Sequence, residues 1–231
     1  MSFEDSTVRN SRCVMVLGLP RSGTSLVAGI LHMTGVNMGE GRLQPADQNN
    51  PTGYWEDLRW QALNKRITGI RYGCNEPRDI GTEQKEQYRQ LAAECQTRPL
   101  WGMKDPRLCF TAQWIWPYLS DCRIVTVRRD FEASVASLVK HSQVSYKRAL
   151  EMGPERARAL LRVWREAMDR RLAEFEGPVL PVEYELLLKE PNEGVRALRR
   201  FAHDSLGVAW PSNKQIDAAI RFVAKELNHN G

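Results

Sequence analysis

The sequence predicts an α/β fold of three layers, a central parallel sheet flanked by helices, built around a phosphate-binding loop. Three observations predict it. Strand and helix signals alternate along the chain, a glycine-bounded loop stands between the first strand and the first helix, and ionisable residues gather where strands end. At 231 residues the chain is long enough for one sizeable core. We read it as a single domain over 1–231, with residues 35–56 inserted as a substrate loop.

Cys13 to Leu17 is a continuous apolar run and reads as a buried strand. A helix from Gly23 to Met33 follows, with Leu26, Val27, Ile30 and Leu31 on its apolar face. Gly35 to Gly53 is polar and rich in glycine and proline, and includes Gln48-Asn-Asn-Pro-Thr-Gly53. Loops this long in compact domains tend to carry function. Helices are expected from Glu56 or Asp57 to Thr68 and from Thr82 to Gln96. A short strand from Leu100 to Lys104 and a helix from Leu108 to Leu119 come next. Arg123 to Arg128 is a strand whose Ile124, Val125 and Val127 mark it as buried, and Asp130 is a good N-cap for a helix through about Lys140. Leu160, Trp164, Met168, Leu172 and Phe175 recur at three- and four-residue spacing, which predicts a long amphipathic helix from Glu155 to Phe175. Val179 to Tyr184 is the fourth strand, and two helices close the chain.

Composition narrows the function. The net charge of +5 is modest, and the arginine-rich stretches 123–129 and 156–171 are usual for solvated helix faces. No nucleic-acid motif accompanies them, so no nucleic-acid partner is expected; an anionic small ligand explains the charge as economically. No apolar run is long enough to span a bilayer, and Met1 to Asn10 has no signal segment, so a soluble cytoplasmic protein is expected. Cys13, Cys74, Cys95, Cys109 and Cys122 are odd in number and scattered. That argues against a disulfide framework and a zinc site. The four histidines (His32, His141, His203, His229) also lack metal-ligand spacing, and no metal is expected. The sequence carries no signature of an oligomeric state.

The chemistry begins at Gly18-Leu-Pro-Arg-Ser-Gly-Thr-Ser25. Strand, glycine-bounded loop and helix start together aim backbone N–H groups and a helix dipole at an anion. Nucleoside-triphosphate loops read G-x-x-x-x-G-K-[ST], with lysine on the outer phosphates. Here Thr24 occupies the lysine position and a cation appears inside the loop as Arg21. Such a loop grips a phosphate but is poorly built for triphosphate hydrolysis. A second anion-binding segment is the strand ending at Arg129, followed by a helix carrying Ser137. At 100° per residue Ser137 points away from the core stripe of Phe131, Val135, Leu138 and Val139, so it is free to face the cleft. An arginine and a hydroxyl converging at a strand end form a phosphate clamp.

Together these segments resemble the sulfotransferases that use 3′-phosphoadenosine 5′-phosphosulfate (PAPS). Members carry a P-[RK]-S-G-T-[ST] loop for the donor's 5′-phosphosulfate and an R-x7-S segment for its 3′-phosphate. This sequence has Pro20-Arg-Ser-Gly-Thr-Ser25 and Arg129 to Ser137, in that order. Val182-Glu-Tyr-Glu-Leu-Leu187 is similar to the later segment whose tyrosine lies near the adenine, here Tyr184. Asn50-Pro-Thr-Gly-Tyr-Trp-Glu-Asp57 and Trp101-Gly-Met-Lys-Asp-Pro-Arg107 look like segments of bacterial members. The resemblance runs from about Val14 to Pro191. Two departures stand out: Leu26 replaces the adenine-stacking tryptophan of many cytosolic members, and Pro106 stands near the position of the histidine base of the animal enzymes.

The resemblance implies a sulfuryl transfer from PAPS to a hydroxyl acceptor, by in-line displacement and without a metal. Arg21, Ser22, Gly23, Thr24, Ser25, Arg129, Ser137 and Tyr184 would bind the donor. Arg21 and Lys104 would stabilise the bridging oxygen and the sulfuryl group, and Glu56 would serve as general base, with Asp57 and Asp105 as alternatives. Arg42, Arg59 and Arg66 are available to an acidic acceptor; a carbohydrate hydroxyl is the preferred class and a small natural-product alcohol the alternative. Two other classes stay open: an atypical phosphate-loop kinase or hydrolase, which Thr24 speaks against, and a non-catalytic nucleotide-binding partner module.

Overall fold

The computed structural model describes residues 11–39, 41–47, 50–69, 77–145 and 152–230. Met1 to Asn10, Gln48, Asn49, Cys74 and the side chain of His229, all invoked above, lie outside the described residues. Four parallel strands form the sheet: β1 (Arg12–Gly18), β2 (Leu100–Lys104), β3 (Asp121–Arg128) and β4 (Val179–Glu183), in the order β2-β1-β3-β4. β1 is central and buried along its whole length, which is why it reads as an unbroken apolar run rather than an alternating one. Its register sets Arg12 beside both Leu100 and Asp121, and Val16 beside both Lys104 and Val125. The parallel register brings the ends of β1, β2 and β3 to the same edge of the sheet.

Helices cover both faces. On one, Val14, Val16, Val125 and Val127 pack with α1 (Thr24–Met33), α7 (Tyr184–Lys189), α8 (Pro191–His203) and α9 (Asn213–Asn230). On the other, Cys13, Met15, Leu17 and Ile124 meet residues of α2 (Leu58–Thr68), α3 (Thr82–Cys95) and α4 (Leu108–Thr111). A neighbouring cluster joins Leu19 and Phe110 to α5 (Phe131–Ser145) and α6 (Pro154–Glu174), with Phe110 edge-on to Trp164 at 4.7 Å. Among the described residues no helix is long and apolar enough to cross a membrane.

Three expectations need correction. The helix expected over 108–119 is α4 followed by two 3-10 turns, Ala112–Trp114 and Trp116–Tyr118. Pro117 stops an α-helix from continuing, since it has no backbone N–H to donate to the Gln113 carbonyl, and it sits in the first positions of the second 3-10 turn. Tyr184 does not end β4; it opens α7. The segment 35–56 is not wholly a loop, because Asn37 bridges to Trp101 and so extends the outer edge of β2.

One buried cation ties the sheet to the last third of the chain. Arg12 pairs with Asp121 at 2.6 Å and donates to the carbonyls of Ala202 (3.1 Å) and Asp204 (2.6 Å) at the end of α8. A cation there satisfies carbonyls that the helix leaves open and meets the negative end of its dipole. Arg12→Ala is therefore expected to cost about 2–3 kcal/mol in urea unfolding. Asp121→Asn, whose carboxylate is partly solvated, should cost about 1 kcal/mol or less. Equal losses would mean that the ion pair, not the helix end, sets the contribution.

Candidate functional site

The loop after β1 is shaped by its own backbone. The N–H and Oγ of Ser22 both donate to the Leu19 carbonyl, at 3.1 and 2.8 Å, which closes the turn. Arg21 takes a left-handed conformation (φ 69°), and Gly23 does so at the N-cap of α1 (φ 93°). That cap makes no side-chain hydrogen bond, and the first turn of α1 carries no acidic residue. The first N–H groups of α1 have no intrahelical acceptor and the positive end of its dipole is not offset, which is the condition for binding an anion. α2 is the contrast: its N-terminus is capped by the Asp57 carboxylate, which accepts from the Arg59 N–H at 2.9 Å. Glycine is required at position 18 because a Cβ there would stand 2.5 Å from Thr24 Cγ2. Thr24 is buried, whereas Ser25 is half-buried and accepts from Asn50 Nδ2 at 3.0 Å, joining the 35–56 segment to the phosphate loop.

The segment from Arg129 to Ser137 meets the loop after β1. Arg21 Nε donates to Ser137 Oγ at 3.1 Å, so Ser137 does face the loop. Arg129 Nη1 donates to the Arg21 carbonyl at 3.1 Å, and its guanidinium lies over the Tyr184 ring, 4.6 Å from the centroid. Tyr184 is buried, and its ring edge fills the space where a side chain at Gly23 would go. Arg21, Gly23, Arg129, Ser137 and Tyr184 are thus one contact set. Leu26 is buried in the core between the sheet and α1, so it offers no surface to a base.

Beside the end of β2 lies a buried group of four charges. Lys104 Nζ and Glu56 Oε1 are 2.7 Å apart, with side chains 3% and 1% exposed, and Gln61 Nε2 donates to Glu56 Oε2 at 2.8 Å. Asp105 accepts from the backbone N–H and Nη1 of Arg107 (2.9 and 3.0 Å) and from Asn64 Nδ2 (3.1 Å). Asn64 Oδ1 in turn accepts from the hydroxyls of Tyr88 and Thr111. Burial holds the Asp105 carboxyl above its usual range, opposed by Arg107 and assisted by the nearby charge of Glu56. These bonds tie Asp105 to the turn after Lys104, while Arg107 Nε is buried without a hydrogen-bond partner. Asp57 is likewise engaged as the α2 cap and as the ion partner of Arg59 at 2.6 Å.

The three arginines expected to await an acidic acceptor are engaged within the chain. Arg42 and Arg59 pair with Glu94 at 2.8 and 2.6 Å, and Arg66 donates to Gln87 at 2.8 Å. Trp60 is buried and stacked on Tyr88 and Trp101. Trp55 (φ 59°) packs on His32 and edge-on to Phe222. The sequence reading missed Gln61 and Asn64. Asn64 had a signal: it sits among Trp60 and Leu63 on the buried face of α2, where a polar residue needs a partner.

The chain matches the model of the sulfotransferase family over residues 13–211. No functionally curated protein matches it in sequence. Among solved structures, the sulfotransferase STF1 of Mycobacterium tuberculosis superposes with a TM-score of 0.54 at 17% identity, over 93% of this chain and 72% of that one. The sulfotransferase STF9 of Mycobacterium avium gives 0.56 at 17% identity, over 95% and 68%. The sulfotransferase domain of the Synechococcus olefin synthase gives 0.51 at 14% identity, over 94% and 80%. At these identities the superpositions establish the fold.

The packing of Gly23 on Tyr184 is testable. Gly23→Ala combines a left-handed backbone with a Cβ 2.2 Å from the ring, and should cost about 2 kcal/mol or more in urea unfolding. Gly23→Ala with Tyr184→Ala should cost less than the two single changes added together, because the overlap is gone while the backbone cost stays. Strict additivity would mean that the ring is not what excludes a side chain.

Proposed function

The chain belongs to the sulfotransferase family, and we propose that its donor is PAPS and its acceptor a hydroxyl group, with a carbohydrate hydroxyl as the acceptor class. One observation carries the donor reading: the two anion-binding segments touch, through the Arg21–Ser137 and Arg129–Arg21 hydrogen bonds. PAPS is a nucleotide with anionic groups at both ends of its ribose, and two adjoining cationic segments suit it. The fit has a further sign in Arg129 Nε, which is buried without a hydrogen-bond partner, a costly state that an incoming anionic oxygen would relieve. The first-turn N–H groups of α1, with Ser22, Gly23, Thr24 and Ser25, would hold the 5′-phosphate. Arg129 and Ser137 would hold the 3′-phosphate, with Tyr184 beneath the arginine.

Sulfuryl transfer is close to phosphoryl transfer, with charge spread over the oxygens of the moving group, so placement and positive charge supply most of the catalysis. Arg21 and Lys104 are the cations we assign to that charge. Lys104 is held by Glu56 at 2.7 Å, so the cation assigned to the sulfuryl oxygens and the carboxylate assigned to the proton of the attacking hydroxyl stand side by side. Asp105 and Arg107 keep Lys104 in position rather than meeting the substrates. The carbohydrate reading rests on the Trp55-Glu56 segment, which resembles that of glycan-directed members.

Two outcomes are expected. 3′-Phosphoadenosine 5′-phosphate should stabilise the protein by about 2.7 kcal/mol at a hundredfold excess over its Kd, and more than ATP with magnesium does at the same concentration; the reverse order would remove the PAPS reading. Glu56→Gln, assayed where the variant is folded, should lower kcat about 100-fold or more while the donor Kd changes less than about threefold. Equal changes in both would reduce Glu56 to a partner of Lys104.

A further inference from the structure

Beside the phosphate loop, between the ends of β3 and β4 and helices α5 and α6, lies a cleft of about 350 Å³. Three arginines line it, Arg128 and Arg129 from the end of β3 and Arg165 from α6, together with Ser134, Asp169 and Glu183. Three guanidinium charges against two carboxylate charges leave a net +1, which suits a single anionic group.

The manner in which these arginines are held is the informative point. Arg12, Arg59, Arg107 and Arg158 are engaged by carboxylates, Asp121, Asp57, Asp105 and Glu132, whereas Arg199 lies over Trp210. In the cleft two of the three lie on aromatic faces. Arg129 is over Tyr184, and Arg165 is over Phe131 with its Cζ 4.2 Å from the centroid. An aromatic face orients a guanidinium without neutralising it and leaves the in-plane N–H donors for another acceptor. Among the described residues neither Arg128 nor Arg165 has an ion-pair partner within 4.0 Å.

We propose that Arg165, seated on Phe131, works with Arg128 and Arg129 as a subsite for the ribose-linked phosphate monoester of the donor, and sets the preference for a nucleotide carrying that second phosphate. This rests on the PAPS reading above and extends it to a residue on α6 that lies outside every motif in the sequence. A planar guanidinium donates two parallel hydrogen bonds to a phosphate, and charge-assisted bonds of this kind are among the stronger ones.

Calorimetric titration of the whole chain with 3′-phosphoadenosine 5′-phosphate and with adenosine 5′-monophosphate tests it. The two nucleotides differ only in the group in question. The wild-type chain should prefer the first. Arg165→Ala, at an exposed position, should raise the Kd of the bisphosphate about tenfold and leave that of the monophosphate within about twofold. Arg158→Ala, on the same helix but paired with Glu132 and Glu155, controls for the loss of net charge and should change neither. An unchanged preference in Arg165→Ala, or an equal loss in Arg158→Ala, would overturn the subsite while the donor reading stood. No preference in the wild-type chain would overturn both.

Discussion

One guanidinium, held between an aromatic ring and a backbone carbonyl, organises the site. Arg129 lies on Tyr184 and donates to the carbonyl of Arg21, while Arg21 reaches across to Ser137. Three segments far apart in sequence, the loop after β1, the β3–α5 junction and the start of α7, are thereby fixed to one another. The parallel sheet makes this possible, since its register carries the ends of β1 and β3 to the same edge. Remove the ring or the carbonyl, and the loop after β1 and the β3–α5 junction lose a contact that joins them.

Charge is handled in two ways around that centre. Next to β2, Glu56, Lys104, Asp105 and Arg107 are buried and mutually compensated. Taking such charges out of water costs several kcal/mol each, and the pairing roughly offsets that rather than adding stability. An arrangement of this kind is better understood as a means of holding charge at a fixed place than as a source of stability. In the cleft at the end of β3, Arg129 and Arg165 are oriented by π faces, and among the described residues neither is in an ion pair. The first arrangement suits groups that act on a proton or a reacting centre; the second suits capture of an anion from solution.

Much of this was legible in the sequence because its signals are local. The apolar run into Gly18, the glycine spacing of the loop and the eight-residue step from Arg129 to Ser137 depend on neighbours in the chain, and the strand–loop–helix arrangement follows from them. Family membership and the fold were within reach for the same reason. What escaped was set by distant packing. Nothing near Arg165 says that Phe131, far back on another helix, will seat its guanidinium. Arg42, Arg59 and Arg66 look available until α3 supplies Glu94 and Gln87. Asp105 carries the composition of a reacting carboxylate and is taken up by Asn64 and Arg107. The loss of α-helix after Thr111 is the exception, because its signal, Pro117, is local.

Backbone strain separates the functional reading from a purely structural one. Among the described residues, three that are not glycine have positive φ, and two of them, Arg21 and Trp55, lie in the loop after β1 and immediately before Glu56. A left-handed conformation costs a bulky residue roughly 1–2 kcal/mol. At both places the surroundings over-determine it: Arg129 and Ser137 hold Arg21, and His32 and Phe222 pack against Trp55. Glycine at either position would remove the cost, yet it would also remove a cation from the phosphate loop or an anchor beside the buried carboxylate. Stability alone would favour relaxing the backbone. Strain kept at the two residues that set the direction of Arg21 and Glu56 fits a chain in which the placement of those side chains matters more than the free energy given up to hold them.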